Sequence, residues 1–233
     1  QSVALADVHI IMEATGVYHE QAAYALHDAG VKLSLTNPNY VRHFAHSLAI
    51  KTKTDGMDSF VLARYGLSTV PKLWIPAPVK ARLLQALLNR REAIAQDLQR
   101  ERNREEKALV ANAPDKIQQS IESSIAFLEQ QLQKLQDDID DHIDKHPKLK
   151  QDVKLLESIP AVGERVGNTM LSVLHNHHFE SAEQVAAYLG LVPVEHQSGT
   201  SVLKRPHLSK TGSASVRATL YMAAVVATKY NPH

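Results

Sequence analysis

The sequence contains no cysteine and few aromatic residues. Among its 233 residues there is one Trp, and the aromatic share is 5%. The absence of Cys excludes disulfide bonds and thiolate chemistry within this chain, and it is typical of a cytoplasmic protein. No apolar run reaches the roughly 20 residues that a membrane-spanning helix needs, so we expect neither a membrane span nor a signal peptide.

A strong overall charge is also lacking. The net charge is +1, so any nucleic-acid site has to be sought in the distribution of charge along the chain. Hydrophobic residues make up 44% of the sequence, which is ordinary for a globular protein with a real core. The length allows one large domain or two modest ones.

Residues 1–70 alternate predicted strands and helices. "VHIIMEA" is an apolar strand that ends near Glu13, and "VKLSLTNP" is a second strand with alternating polar and apolar residues. Between them "GVYHEQAAYALHDAG" predicts a helix that closes on Gly30, and two further helices follow in "NYVRHFAHSLA" and "MDSFVLARYG". This order predicts an α/β domain with a largely parallel sheet. Because the chain opens without Met and directly in a strand, we expect an earlier strand to be missing.

Residues 71–78 hold three prolines and predict an ordered linker, in which we interpret Trp74 as a packing anchor. Residues 79–146 predict a helical hairpin with its turn at "NAPD", residues 112–115. The second helix has an a/d heptad seam, which predicts a coiled coil that pairs within the chain or with a second subunit. The seam consists of Ile121, Ile125, Leu128, Leu132, Leu135, Ile139 and Ile143.

Residues 147–233 predict a mostly helical C-terminal domain. "LLESIPAVGERVGNTMLSVL" has the pattern of a helix–hairpin–helix element, in which backbone N–H groups near Gly163 would approach a phosphate. The alternative is an ordinary short connection between two helices. Further on, residues 196–217 contain no acidic side chain, and we interpret them as a cationic loop that contacts a nucleic-acid backbone. Its basic residues are Lys204, Arg205, Lys210 and Arg217.

The stretch "IKTKTDGMDSF", residues 50–60, places two aspartates just after two lysines. Thr54 or Asp55 would cap a helix N-terminus, and acidic residues suit its first turn. On this segment alone capping is the better interpretation. Asp55 and Asp58 would nevertheless share one helix face, and Glu13 at a strand end could complete a set of oxygen ligands for a hard cation.

Six motifs together resemble the IS110/IS1111-type (DEDD) transposase family. In chain order they are "MEATGVY", "LTNPNYVRHFA", "KTKTDGMDSFVLARYG", "SIPAVGERVGNTML", "YLGLVPVEHQSG" and "LSKTGSASVRATLYMAA". The resemblance covers most of the chain. It implies an RNase H-like domain of the Holliday-junction resolvase kind, then a coiled coil, then a transposase C-terminal domain. It also implies DNA recombination guided by a non-coding RNA.

The resemblance assigns the family's acidic residues to Glu13, Asp55 and Asp58, which would hold Mg²⁺ or Mn²⁺. The family's first aspartate lies on an earlier strand that precedes this chain. Lys51, Lys53 and Arg42 would offset the charge of the incoming nucleic acid.

The family's nucleophilic serine corresponds to Ser198 in "HQSG", with Ser201 and Ser209 as alternatives. A serine hydroxyl needs activation. The candidates for that role are the metal site, contributed across subunits, and His196.

The expected partners are DNA, at the element ends and the target, and a guide RNA. A dimer or tetramer would assemble through the coiled coil, in a prokaryotic cytoplasm and associated with the nucleoid. Two other functions remain open. One is a metal-dependent Holliday-junction-type nuclease without a covalent intermediate, and the other is a non-catalytic nucleic-acid-binding module.

Overall fold

The protein is described by a computed structural model that covers residue 4, residues 7–198 and residues 202–230. Within residues 196–198 and 202–204 the description is of the backbone alone. The chain divides into two compact units, Gln1–Pro76 and Ala77–His233. No helix among the described residues is long and apolar enough to cross a membrane.

The first unit is an α/β layer. Its described elements are β1 (His9–Glu13), α1 (Glu20–Asp28), β2 (Lys32–Thr36), α2 (Pro38–Ser47) and α3 (Asp55–Thr69). The two strands pair in parallel, with His9 opposite Lys32 and Glu13 opposite Thr36. The predicted alternation of strand and helix with parallel pairing is therefore confirmed. The predicted start of the first helix is wrong: it begins at Glu20, and Val17 lies before it with 71% of its surface exposed.

β2 is covered on both faces, although its sequence alternates polar and apolar residues. Ser34 is fully buried, like its neighbour Leu33 at 2% exposure. The Ser34 hydroxyl is 2.8 Å from Nε2 of His9 and donates to the carbonyl of Pro71 at 3.0 Å. Burial of a serine is tolerated here because its hydroxyl is fully hydrogen-bonded.

The proline-rich segment after α3 lies against β2. The Trp74 amide donates to the carbonyl of Leu33 at 2.7 Å. The Trp74 ring packs on α1, against Tyr24 at 5.2 Å and His27 at 6.0 Å between ring centroids. The interpretation of Trp74 as a packing anchor is confirmed.

Local capping determines where α2 and α3 begin. The side chain of Asn37 accepts from the amide of Asn39, and Pro38 occupies the first helical position. Thr54 caps α3, its Oγ1 accepting from the Met57 amide at 3.3 Å. Of the two predicted caps it is Thr54 that acts, and this places Asp55 and Asp58 in the first turn of α3.

The second unit is mostly helical and contains one β-hairpin among its described residues. Its elements are α4 (Val79–Val110), α5 (Asp115–Asp144), α6 (Pro147–Glu157), α7 (Glu164–Asn176), α8 (Ala182–Leu189), β3 (Pro193–Ser198), β4 (Val202–Leu208) and α9 (Ala214–Tyr230). A short turn at residues 111–114 makes α4 and α5 antiparallel neighbours, as "NAPD" predicts. An ion pair between Arg102 and Glu129, 2.8 Å long, joins the two helices across their shared surface.

The core of this unit lies where α4, α5, α6 and α7 meet. It consists of Leu84, Ile139, Ile143, Leu149, Val153 and Leu171, all at most 8% exposed. Two members of the predicted heptad seam, Ile139 and Ile143, are part of it. The other five are half-buried along α5, so the apolar seam packs against α4 of the same chain. A coiled coil between subunits stays a prediction.

The prediction of a loop over the cationic segment, residues 196–217, is wrong for the parts that lie in β3 and β4. β3 and β4 pair antiparallel, with Pro193 opposite Leu208 and Ser198 opposite Val202. An irregularity between Val194 and His196 leaves Pro206 at a bulge, where a missing N–H costs no ladder hydrogen bond. Because the described side chains of β4, residues 205–208, are all exposed, polar residues on both of its faces are tolerated. The sequence of the hairpin therefore lacks the hydrophobic alternation by which strands are predicted.

Candidate functional site

The first unit contains a cavity of about 440 Å³ at the end of β1. Residues from the end of β1, from α2, from the segment before α3 and from the first turns of α3 form its walls. They are Glu13, Pro38, Asn39, Val41, Arg42, Ala45, His46, Ile50, Lys51, Thr52, Lys53, Asp58 and Val61. The cavity therefore gathers most of the residues that the sequence singled out in this unit.

Glu13 lies at the carboxyl end of β1, next to the same end of the parallel strand β2. Its partner in the register is Thr36, whose carbonyl accepts from the Ala14 amide at 3.0 Å. Ligands of open α/β sheets bind beyond the carboxyl ends of the strands, where side chains from neighbouring elements converge. Half-buried Glu13 thus occupies a position typical of a functional residue.

The two aspartates of α3 differ in their surroundings. Asp58 is half-buried and lines the cavity together with Glu13, whereas Asp55 is exposed and is not part of the cavity wall. No group of three or more His, Asp or Glu side chains among the described residues is close enough to hold a metal ion. Two of the three predicted carboxylates therefore line one cavity, and Asp55 is not part of its wall.

Basic side chains surround this carboxylate pair. Lys51, Lys53 and Arg42 are exposed and line the same cavity. Within the described part of the chain, no ion pair joins any of them to Glu13 or to Asp58. Their charges are therefore available to an anionic ligand that enters the cavity.

Sequence reasoning missed two residues of this site, Asn39 and His46, which lie on α2 beside Arg42. The spacing of these residues, three and then four apart, places them on one helix face. That spacing is visible in "NYVRHFAHS" and could have identified the polar face of α2 as part of the site.

The predicted serine nucleophile lies in the hairpin of the second unit. Ser198 is the last residue of β3, and its side chain lies outside the described part of the structure, as does that of His196. Ser201 lies outside the described residues altogether. The Ser209 hydroxyl is 3.0 Å from Oγ1 of Thr211 on the surface. The choice among the three serines stays a prediction.

The basic residues predicted for this region have different environments. Arg205 and Lys210 are exposed, and the side chain of Lys204 lies outside the described part. The Arg217 guanidinium donates to three backbone carbonyls, those of Leu189 (3.2 Å), Thr211 (2.7 Å) and Gly212 (3.1 Å). Arg217 therefore holds the turn before α9, while its predicted contact with nucleic acid stays a prediction.

Gly163 is the residue immediately before α7. Its φ of −88° is open to any residue, and a Cβ built on it meets no atom within 4 Å. The space around Gly163 itself is therefore open. The approach of a phosphate to this turn stays a prediction.

Two family models match most of the chain between them. Residues 2–114 match a model of DEDD transposases of the IS110 type, described as "Transposase". Residues 153–233 match a model described as "Transposase IS116/IS110/IS902 family".

The chain belongs to the IS110 family of transposases.

Two relatives of this transposase are pilin gene-inverting proteins from Moraxella. The protein of Moraxella bovis is 35% identical over 222 residues, and that of Moraxella lacunata is 36% identical over 222 residues. Each alignment covers 94% of this chain and 67% of the relative. Membership of the family implies a DNA recombination enzyme, and the resemblance inferred from the six motifs is confirmed.

Proposed function

We propose that this transposase is an RNA-guided recombinase that cuts and rejoins DNA through a metal-binding carboxylate site and a covalent serine–DNA intermediate. The observation that carries the proposal is the cavity in which Glu13 and Asp58 lie beside three cations. Within the described residues, none of these cations forms an ion pair with either carboxylate. Such a cavity suits a phosphodiester, because the cations attract phosphate oxygens while the carboxylates leave room for a divalent ion.

The basic residues bind and orient the nucleic-acid backbone. Lys51 and Lys53 stand on the segment before α3, and Arg42 stands on α2, so the cavity is flanked by cations from two elements. Phosphate contacts of this kind position a strand without reading its sequence. Sequence choice then falls to the guide RNA, as the family resemblance implies.

The carboxylate pair fits Mg²⁺ or Mn²⁺. Mg²⁺ is commonly held by one or two carboxylates together with substrate phosphates and water, so Glu13 and Asp58 suffice as the protein's share. When bound, the ion would polarise the scissile phosphate. Asp55 contributes to the negative potential of the first turn of α3, and we assign it to the same catalytic set.

The covalent step uses the hydroxyl of Ser198. Its oxygen attacks phosphorus and forms a phosphoserine ester, and the bond from phosphorus to one bridging oxygen breaks. The hydroxyl proton passes to a base, and the leaving sugar oxygen takes up a proton. Rejoining is the reverse reaction with a hydroxyl of another DNA end, so the phosphoester energy is retained without a cofactor.

The remaining parts of the proposal concern fold and assembly. The parallel pair of strands with an acidic residue at its carboxyl end supports an RNase H-like domain over residues 1–70, followed by the linker at 71–78. The α4–α5 hairpin supports an oligomerisation segment over 79–146. The segment α6–turn–α7 supports a helix–hairpin–helix element in the domain 147–233. Gly163, Lys204, Arg205 and Lys210 would contact DNA or RNA there.

The test uses the native full-length protein with its guide RNA, Mg²⁺ and end-labelled DNA. Because the Moraxella relatives are named for gene inversion, the DNA carries two element ends in inverted orientation. Denaturing gels detect a protein–DNA adduct, and amplification across the junction detects inversion. The variants are Glu13→Gln, Asp58→Asn and Ser198→Ala, with Asp28→Asn as a matched control on an exposed acid of α1.

We expect an adduct in the wild type and in Asp28→Asn, and none in the three site variants. An adduct that persists in Ser198→Ala would move the nucleophile to Ser201 or Ser209. Cleaved ends without an adduct would replace the proposal with the nuclease function. Binding without cleavage in any divalent metal would leave only a nucleic-acid-binding module.

A further inference from the structure

The second unit contains a cavity of about 160 Å³ that the proposed reaction does not use. Residues of α4, α5, α7, α8 and the start of α9 line it. Its volume is close to that of an engineered cavity of about 150 Å³ that holds benzene, and well above the ~30 Å³ share of one water. It is also smaller than the ~300–1,000 Å³ of sites for drug-sized ligands. The cavity is therefore large enough for one aromatic ring of a ligand.

Asn168, a buried residue whose side-chain oxygen is unpaired among the described residues, lines this cavity. Asn168 of α7 is only 4% exposed, and its Oδ1 has no hydrogen-bond partner within the part of the chain that the structure describes. An unpaired buried acceptor is unfavourable in the free protein. This Oδ1 has almost no accessible surface, so a rotation of the Asn168 side chain is needed before an N–H group of a ligand in the cavity can satisfy it. The unpaired acceptor favours such a rotation, and Asn168 therefore points to a polar ligand.

Two arginines and two glutamates are among the described residues of the wall, so their formal charges cancel. Arg165 donates to Glu92 at 2.9 Å, and the Gln136 amide donates to Glu164. Uncharged amides and hydroxyls make up much of the remaining wall, including Asn89 and Thr169. A phosphate or a metal ion would find no excess of opposite charge here. A neutral group with several donors and acceptors fits the wall better.

One side of the cavity is aromatic. The Tyr188 hydroxyl lies 2.7 Å from Nε2 of His177, and the centroids of their rings are 4.4 Å apart. Burial lowers the pKa of His177 and raises the pKa of Tyr188, so both side chains are uncharged at neutral pH. Tyr188 keeps 43% of its surface exposed and offers its ring to a planar ligand.

The rim of the cavity is held in place before any ligand arrives. Gly212 has a φ of +78°, and a Cβ on it would collide with the Tyr188 carbonyl. The three hydrogen bonds of Arg217 fix the same turn against the end of α8. The rim residues Ser213 and Ser215, which follow this turn, are thereby preorganised.

From these features we propose that the cavity binds one unpaired nucleobase of a single-stranded nucleic acid, with the Asn168 amide as its hydrogen-bonding partner. A base turned out of its stack is planar, neutral and rich in N–H and carbonyl groups, which matches the size, the charge balance and the polar wall. The inference rests on the proposed action on nucleic acid, but it involves none of the residues of the carboxylate site.

The test measures binding of three fluorescent oligomers of equal length by anisotropy. They are oligothymidine, oligouridine and a DNA backbone of abasic residues. Because all three carry the same number of phosphates, a difference between base-bearing and abasic strands reports base binding, and a difference between the first two identifies DNA or RNA as the source. We expect the wild type to bind a base-bearing strand about tenfold more tightly than the abasic one.

Two variants test the cavity by different routes. Asn168→Leu keeps the size of the side chain and removes the amide. Ser215→Phe fills the cavity from its exposed rim, where the fold is not at risk. Asn103→Leu, on an exposed part of α4 away from the cavity, is the matched control. We expect the first two to bind all three strands equally, and the control to keep the preference.

Thermal unfolding adds a readout that needs no ligand. Because Asn168→Leu removes an unpaired buried acceptor, we expect it to raise the melting temperature while it abolishes the preference for bases.

The inference is overturned if the wild type binds abasic and base-bearing strands equally, or if the preference survives in both cavity variants. The outcome is independent of the catalytic proposal. A base preference in a protein that forms no adduct would reject the recombinase reaction and keep the cavity. Adduct formation without a base preference would keep the recombinase reaction and reject base binding in the cavity.

Discussion

Gly66 of α3 leaves no room for a side chain against Ile11 of β1. A Cβ built on Gly66 would lie 2.5 Å from Cγ1 and 2.9 Å from Cδ1 of Ile11. Ile11 and Glu13 are two residues apart on β1 and so share one face of the strand. Asp58 lies eight residues before Gly66, about 12 Å along the same helix. The close approach at Gly66 therefore sets the height and rotation at which α3 presents Asp58 to the cavity.

We predict that Gly66→Ala destabilises the protein and lowers DNA cleavage together. The added methyl group forces Ile11 or the whole helix to move, at a cost of about 1–3 kcal/mol in the free energy of unfolding. Chemical denaturation measures the first effect, and the adduct assay measures the second. Adding Ile11→Ala to this variant should restore part of the stability and part of the cleavage, because it removes the side-chain atoms that the new methyl group would contact.

Gly56→Ala is the matched control, since Gly56 lies on the same helix between the two aspartates. A Cβ there meets no atom within 4 Å. The substitution should leave stability unchanged or raise it slightly, because Ala favours the helix. An equal loss of stability in Gly66→Ala and Gly56→Ala would contradict the role of the contact with Ile11.

The lysines before α3 predict a change in the salt dependence of binding. Lys51→Gln and Lys53→Gln should each weaken binding of DNA or RNA and reduce the slope of log K against log salt by about 1, because each removes one phosphate contact. Filter binding across a salt series measures the slope. Lys32→Gln, on an exposed position of β2 outside the cavity wall, should keep the wild-type slope. An unchanged slope in both lysine variants would exclude them from the interface.

Much of the first unit could be predicted from the sequence because local signals agree there. Apolar runs mark the strands, Asn37 and Thr54 cap the helices, and Gly30 closes α1 with a φ of +77°. The motifs also identified Glu13 and Asp58, which the fold then brings to one cavity.

The features that could not be predicted depend on contacts distant in sequence. Whether Asp55 shares the cavity with Asp58 depends on the rotation of α3, which its contact with Ile11 sets. The burial of Ser34 depends on the segment that returns over β2 after α3. The β3–β4 hairpin has polar residues on both faces and a proline at its bulge, so it lacks the alternation by which strands are recognised.

Arg217 provides a prediction that separates a structural role from a role in binding. Arg217→Gln should lower the free energy of unfolding by about 1–3 kcal/mol, because three carbonyls lose a charged donor. Chemical denaturation measures the loss. Arg205→Gln, at an exposed position of β4, should change stability by less than about 0.5 kcal/mol. If Arg217→Gln left stability unchanged and lowered only the salt slope of DNA binding, the structural role would be wrong.

The pair His177 and Tyr188 predicts a loss of stability on acidification. Burial lowers the pKa of His177 from its ordinary value of 6.5, so the folded state takes up this proton less readily than the unfolded chain. The contribution to stability is complete above pH 6.5 and is lost as the pH falls through the lower, folded value. Denaturation at about pH 7 and about pH 5 should therefore show a decrease that is smaller in His177→Gln. His178→Gln, at the neighbouring position, should keep the wild-type decrease, because the hydrogen bond with the Tyr188 hydroxyl belongs to His177. The same decrease in both variants would assign the acid sensitivity to other groups and remove His177 as its source.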